Sequence, residues 1–319
     1  MSGRAQARAA QLAVGNYVIY VGFAAVFAFF AVVLYDKSFL TVGNLTNIAR
    51  QTAMISIMAI GFTFVLSAGE IDLSIGAVVA LSSLVTALAL REYGIWLAVP
   101  AGLGTGAAIG LINGLVATRV RIPSFLVTLG TLGIVNGLAR WITDLKSVPV
   151  TNDAYTFVFG SGDIGPVPVL FAWTGLALLV GHLALRKTAF GRQALAAGGS
   201  KTAALYSGVR VDRVKTLALV ISGTSAALAG MLYAGRLHGA RYTLGEADLL
   251  TVIAAVVIGG TSLFGGKGSV VGAVVGSLIM GVINNGLILM GLSVAQQMIL
   301  QGVIIILAVS LTSREAAGR

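Results

Sequence analysis

Residues 268–313 form an unbroken run of 46 positions without a charged side chain. A helix crossing roughly 30 Å of hydrocarbon uses about 20 residues, so this run is too long for one crossing and too apolar for a soluble surface. It reads as two spans divided at Met290, Gly291 and Leu292. The rest of the chain is similar: 57% of its 319 residues are apolar and 10% charged, where a soluble domain carries about a quarter charged. Charge-free runs at 17–35, 51–69, 73–90, 94–118, 122–139, 164–185, 216–235 and 249–266 supply the other spans, ten in all. The expected organisation is a tail at 1–16, one transmembrane domain at 17–311 with a loop at 186–215, and a tail at 312–319. Little polypeptide remains for a soluble catalytic domain.

The chain has no cysteine, so disulfides, thiolate metal sites and thiol nucleophiles are excluded. His182 and His238 are its two histidines, and no HExxH pattern occurs. The net charge of +10 is distributed over loops between apolar runs, the pattern of a chain oriented by lipid, whereas nucleic-acid binders gather basic residues on one soluble face. Placing both termini in the cytoplasm puts fourteen of the 21 basic residues inside, which satisfies the positive-inside rule. The first apolar segment follows Arg4 and Arg8 and is as long as a true span, so an uncleaved anchor is expected.

The sequence repeats itself. Gly69-Glu70-Ile71-Asp72-Leu73 recurs as Gly245-Glu246-Ala247-Asp248-Leu249, and Ile112-Asn113-Gly114-Leu115 has a counterpart in Ile283-Asn284-Asn285-Gly286-Leu287. A glycine ladder at Gly102, Gly106, Gly110 and Gly114 is echoed by Gly268, Gly272 and Gly276. Each pair lies five spans apart, an odd offset that sets the two halves in opposite orientations, the inverted-repeat design of many transporters. Glycines four apart share one helix face and predict close packing against a neighbouring helix.

Three segments carry functional signals. Glu70 and Asp72 sit between apolar runs, either facing a pathway in the bundle, as an ion-coupled carrier would require, or forming a polar turn with Asp72 capping the next helix. The loop 186–215 holds seven basic residues and one acid. Within it residues 190–197 read as a short helix closed by Gly198 and Gly199; Ser200 caps a second over 201–207, and Gly208 supplies a left-handed end. Two short helices joined by a glycine turn, with Ala194, Leu195, Ala203, Ala204 and Leu205 exposed, predict a knob that meets a protein partner. The stretch Thr261 to Gly268 has the look of a phosphate loop but lacks glycine at 261 and Ser or Thr at 268, so ATP binding by that route is excluded. The polar loop 141–163, with Thr143, Asp144, Lys146, Thr151, Asn152 and Asp153, is either a surface for an extracytoplasmic partner or a solvated connection.

The run Gly69-Glu70-Ile71-Asp72-Leu73-Ser74-Ile75-Gly76, then Asn113-Gly114-Leu115 and Arg121-Ile122-Pro123-Ser124-Phe125-Leu126, resembles permease subunits of ribose- and xylose-type ABC sugar importers. So do Ala197-Gly198-Gly199-Ser200, Ser207-Gly208-Val209, Ile253-Ala254-Ala255-Val256-Val257-Ile258-Gly259-Gly260-Thr261-Ser262 and Asn284-Asn285-Gly286-Leu287, an ordered set that covers about residues 39–309. The resemblance implies an all-α polytopic permease of about ten transmembrane helices with an inverted repeat, in the vitamin B12-importer-like (type II ABC importer) arrangement. It also implies a bacterial inner-membrane location and a lipid surround. The implied partners are a second permease copy, a cytoplasmic ABC ATPase and an extracytoplasmic sugar-binding protein. No nucleic acid is implied, and no cofactor on this chain: ATP and Mg belong to the ATPase, and the permease is not an enzyme.

Residues that match the family's ATPase-coupling loop are Gly191, Arg192, Ala197, Gly198, Gly199, Ser200, Ala203, Ala204 and Gly208. Glu70, Asp72, Ser74, Asn113, Asn284 and Asn285 are the expected translocation pathway. The sequence departs from the family at Glu70, where relatives often carry glycine, at Leu249-Leu250-Thr251, where they often carry Glu-Leu-Asp, and at Ser200, for the more usual Asn. The expected function is import of a monosaccharide, a pentose such as ribose or xylose first among them. The alternatives are an ion-coupled secondary carrier using Glu70 and Asp72, or an ABC permease for a nucleoside, polyol or signalling furanoside.

Overall fold

The computed structural model describes residues 19–317. The expected N-terminal tail, with Arg4 and Arg8, lies outside the described residues. Thirteen helices follow in order among the described residues: α1 (Ile19–Val33), α2 (Val42–Ser67), α3 (Ile75–Tyr93), α4 (Ile95–Leu115), α5 (Ser124–Trp141), α6 (Asp153–Thr156), α7 (Val169–Lys187), α8 (Ala189–Gly199), α9 (Lys201–Tyr206), α10 (Val211–Arg236), α11 (Asp248–Ile258), α12 (Val270–Leu289) and α13 (Val294–Ala317). Six of them, α2, α3, α4 with the wide turn that extends it to Val120, α7, α10 and α12, are long and apolar enough to cross a membrane. Two antiparallel pairs of two-residue strands tie down the loops: β1 (Val148–Pro149) pairs with β4 (Gly239–Ala240), and β2 (Asp163–Ile164) with β3 (Val167–Pro168).

Helices α2 and α10 form the centre. Nearly every residue of α2 from Thr52 to Ser67 is buried, so it is apolar all round, as an interior helix must be. The glycine ladders do what their spacing predicts. A Cβ at Gly106 would strike the carbonyl of Gly223, at Gly110 that of Leu219, and at Gly114 the backbone of Thr216, all on α10. On α12, Gly272 and Gly276 press against the carbonyls of Gly259 and Ala255, at and beyond the end of α11, and Gly268 fits against Ser67. Helix α4 therefore packs on α10 while α12 packs on α2 and α11. Since α2 precedes the first Gly-Glu-x-Asp-Leu segment and α10 the second, the two repeat segments exchange partners reciprocally.

Helix ends depart from the charge-free runs where a charge finds a partner. Helix α2 starts at Val42, capped by Thr41, whose hydroxyl accepts from the Asn44 N–H at 3.3 Å, and it carries Arg50, which pairs with Asp163 at 2.6 Å. Helix α11 stops at Ile258, so the expected span 249–266 is helical only in its first part. The next residues include Gly260, Gly265 and Gly266 at φ between +76° and +87°, a left-handed backbone that ends a helix. The division at Met290 to Leu292 coincides with the end of α12, where Gly291 has φ +82°. Helix α13 continues through Ala317, past the expected tail boundary at 311. The loop 141–163 is folded onto the bundle: Asn152 caps α6, and Tyr155 is fully buried, donating its hydroxyl to the Met231 carbonyl at 2.9 Å. Tyr155 stacks on Phe159, which stacks on Trp173. Burial pushes the Tyr155 hydroxyl pKa well above its ordinary value, so that hydroxyl stays a donor.

Candidate functional site

The first acidic segment is built into the bundle. Gly69 turns the chain at φ +74°; the Glu70 N–H still bonds back to the Val65 carbonyl of α2 at 3.0 Å, but residues 71–73 lie between helices and need partners from elsewhere. Helix α5 supplies the partners: the Ile71 N–H donates to Ser124 Oγ at 3.1 Å and the Leu73 N–H to Thr128 Oγ1 at 3.0 Å. Asp72 is buried; its Oδ1 accepts from the Ser74 N–H at 2.9 Å and the Ser74 hydroxyl at 2.6 Å, and its Oδ2 from the Ser222 hydroxyl of α10 at 2.7 Å. Asn113 donates to Ser74 Oγ at 3.1 Å and accepts from Thr131 at 2.6 Å. Asp72 thus closes an Asx turn with Ser74, two residues on, and Ser74 is the residue at the cap of α3. Glu70, also buried, is ion-paired with Lys215 of α10. Every charge and hydroxyl here has a protein partner, which is the satisfied form of a buried polar network.

The second acidic segment leaves space. Glu246 pairs with Arg140 at 2.7 Å, and Asp248 Oδ2 accepts from the Tyr233 hydroxyl at 2.8 Å. Beside them is a cavity of about 240 Å³ lined by Gln51, Thr52 and Ile55 of α2, Tyr233 and Arg236 of α10, Asp248 and Thr251 of α11, and Ser277, Gly281 and Asn284 of α12. Of the six expected pathway residues only Asn284 lines it. Asn285 points elsewhere and exchanges two amide hydrogen bonds with Asn44, at 2.8 and 3.0 Å. Glu70, Asp72, Ser74 and Asn113 form the closed network instead. Gln51 and Arg236 have no signal in the sequence beyond their places at the ends of charge-free runs, and Thr251 stands out there only within the departure Leu249-Leu250-Thr251.

The loop 186–215 forms the two helices expected, with corrections. Thr188 caps α8 and Ser200 caps α9, accepting from the N–H groups of Gly191 at 3.2 Å and Ala203 at 3.3 Å, and Gly208 has φ +79°. Gly198 and Gly199 belong to the last turn of α8, so the two helices meet at Ser200 and not in a glycine turn. Ala194 and Ala204, expected outside, are buried with Gly191 and Ala197 because α8 lies on α7, α10 and α2. The outward face consists of Arg192, Gln193, Lys201, Thr202, Ala203, Leu205 and Tyr206, the last 90% exposed. Gly198 is spoken for inside the protein: a Cβ there would strike the Ser67 carbonyl and lie 2.7 Å from the Gly266 N, while one at Gly199 would sit 3.7 Å from Gly266 Cα. Gly198→Ala is therefore expected to destabilise the chain by about 1–3 kcal/mol through overpacking, and Gly199→Ala to leave it near wild type. Unfolding midpoints of the two purified variants check the difference.

An all-α bundle with six helices long and apolar enough to cross a membrane, paired sequence segments and a polar cavity between its helices has the build of a polytopic membrane protein. The family described as branched-chain amino acid transport system / permease component matches residues 44–309, and the chain belongs to it. It is 41% identical over 284 residues to the ribose import permease of Bacillus subtilis (strain 168), covering 88% of each chain. It is 37% identical to the D-allose transport system permease of Escherichia coli (strain K12), covering 87% of this chain and 86% of the relative, and 35% identical to that organism's L-arabinose transport system permease, covering 90% and 88%. No solved structure matches the chain.

Proposed function

We propose that this chain is the inner-membrane permease subunit of an ATP-driven importer of a neutral monosaccharide, with a pentose such as ribose as the first candidate. The observation that carries this reading is the 41% identity to a ribose import permease across 88% of both chains; the allose and arabinose relatives support the wider class. In this reading α1 to α5, α7 and α10 to α13 cross the bilayer in the type II arrangement, with both termini in the cytoplasm, and two permease copies enclose the path. A separate ATPase binds ATP and Mg and docks on the exposed face of α8 and α9, led by Tyr206, Leu205 and Arg192. A sugar-binding protein delivers cargo to the opposite side, where the loop 141–163 lies. This chain holds no cofactor and makes or breaks no covalent bond.

The knob has a physical route to the path. Its last turn touches the end of α2 at Ser67 and Gly69 and the loop before α12 at Gly265 and Gly266, backbone against backbone. Such contacts have no side chain to give way, so movement of α8 on ATPase closure is transferred to α2 and α12 as rigid bodies. The ion-coupled alternative has less support, because Glu70 is neutralised by Lys215 and both oxygens of Asp72 are occupied by hydroxyls and a backbone N–H. Labelled-ribose uptake into proteoliposomes is expected only when the permease, ATPase, binding protein and ATP are all present. Uptake by the permease alone under a proton or sodium gradient would overturn the reading.

A further inference from the structure

We infer that the polar cavity between α2, α10, α11 and α12 is a monosaccharide-binding site within each permease protomer. The inference rests on the importer reading and adds to it a place where the cargo is held. The inverted repeat supplies the first argument. Asp248 is the repeat-mate of Asp72, yet its surroundings are incomplete. Where the first segment has Ser74 to bond its aspartate twice, the second has Leu250. Tyr233 takes the part of Ser222 on the same helix, bonding one oxygen. The other carboxylate oxygen of Asp248 has no hydrogen-bond partner among the described residues, and space stands beside it in place of a side chain.

The remaining walls suit a sugar. The Asn284 carbonyl accepts from Gln301 at 2.9 Å, which leaves its NH₂ without a protein acceptor among the described residues. The Thr251 hydroxyl, on a residue only 5% exposed, likewise has no partner among the described residues; the Gln51 amide has none either, but Gln51 is solvent-exposed. Buried polar groups are ordinarily satisfied; here Thr251 is buried and Asp248 and Asn284 are half-buried, so their unspent donors and acceptors suit a ligand that brings both, which is the chemistry of a polyol ring. Ile55 and the Tyr233 ring supply apolar wall for its C–H face.

Charge narrows the class. The cavity has one guanidinium, Arg236, and one carboxylate, Asp248; Arg50, which also acts on Arg236, is neutralised by Asp163. An anionic sugar meets Asp248 and a cationic one meets Arg236, so the balanced site selects an uncharged ligand. At about 240 Å³ the cavity equals the liquid volume of about eight waters, the scale of one five- or six-carbon sugar. The C-terminal end of α2 and the loop that joins α11 to α12 make the backbone junction with α8, so three of the four walls lead to the knob through the chain.

Thr251→Val and Asn284→Leu remove the polar groups while keeping the branching and the number of heavy atoms of each side chain, and Thr251→Ser keeps the hydroxyl. In proteoliposomes with the full complex, the first two are expected to lower ribose or xylose uptake about tenfold or more, as loss of a built polar contact does. Thr251→Ser should stay near wild type, and ATP hydrolysis stimulated by the binding protein should persist in all three. A thermal shift of the purified full-length permease by millimolar ribose, xylose, arabinose or allose is expected in wild type and Thr251→Ser, and lost in Thr251→Val. Wild-type uptake by both Thr251→Val and Asn284→Leu, or no shift with any of the four sugars, overturns the site while leaving the importer standing. Absence of ATP-dependent sugar uptake by the wild-type complex overturns the importer and the site with it.

Discussion

Gly245→Val is expected to leave no monodisperse permease after detergent extraction. Gly245 adopts φ +81°, and a Cβ there would lie 2.5 Å from the Gly76 carbonyl oxygen and 2.8 Å from Val79 Cβ. The contact is mutual, since a Cβ on Gly76 would strike the Gly245 carbonyl. A β-branched residue in this conformation costs about 1–3 kcal/mol in backbone strain, and forcing its side chain between two backbones adds about 1–3 kcal/mol. Together, roughly 2–6 kcal/mol is set against a net stability of about 5–15 kcal/mol. Gly260→Ala isolates the first component: φ is +82° there, but nothing lies within 4 Å of the added Cβ, so only strain of about 1–2 kcal/mol is expected. Size-exclusion profiles and unfolding midpoints of both variants are the measurement. A Gly245→Val protein that elutes and unfolds like wild type would show that the second acidic segment does not meet the start of α3.

Asp72 gives the second large effect, through the contrast between two substitutions. Asp72→Ala removes the acceptor of the Ser222 hydroxyl and of the Ser74 N–H and hydroxyl inside the bundle. At about 1–3 kcal/mol for each buried group left unpaired, a loss of several kcal/mol and a sharp fall in folded protein are expected. Asp72→Asn keeps a carbonyl oxygen for Ser74, and its NH₂ donates to Ser222, whose hydroxyl accepts as readily as it donates. This variant is expected to fold and to import sugar at close to the wild-type rate. A well-folded Asp72→Asn protein without uptake would return Asp72 to the pathway and revive ion coupling. Melting curves run beside the uptake assay separate the two.

Much of the fold is legible from local signals, and what is missed has a common cause. The break at Gly291 is readable because a left-handed residue ends a helix wherever it stands. The caps Thr188 and Ser200 and the end at Gly208 are readable because each acts within its own turn. The start of α2 is missed because Arg50 is kept in the helix by Asp163, more than a hundred positions away. The early end of α11 is marked locally, by the paired glycines 259 and 260, the second at φ +82°. For the knob, the sequence gives two helices but not their faces: Ala194 and Ala204 are small enough for either environment, and the bodies of α7, α10 and α2 decide that they are inside.

The candidate site divides along the same line. Asn284 and the acidic segments stand out in a chain with few polar residues, and their repetition marks two related places. Which place is filled and which is open depends on Ser74, Ser222 and Asn113 converging on Asp72, and on Leu250 failing to do so for Asp248. Gln51, Arg236 and Thr251 join Asn284 only because four helices meet there. The sequence by itself determined a membrane bundle, its repeated segments, the two short helices of its knob and its family, since apolar runs, glycine spacing and caps act over a few turns at most. The tertiary structure alone decided which glycine faces meet, which carboxylate is spent and where a cavity remains, because these depend on close packing between backbones far apart in the chain.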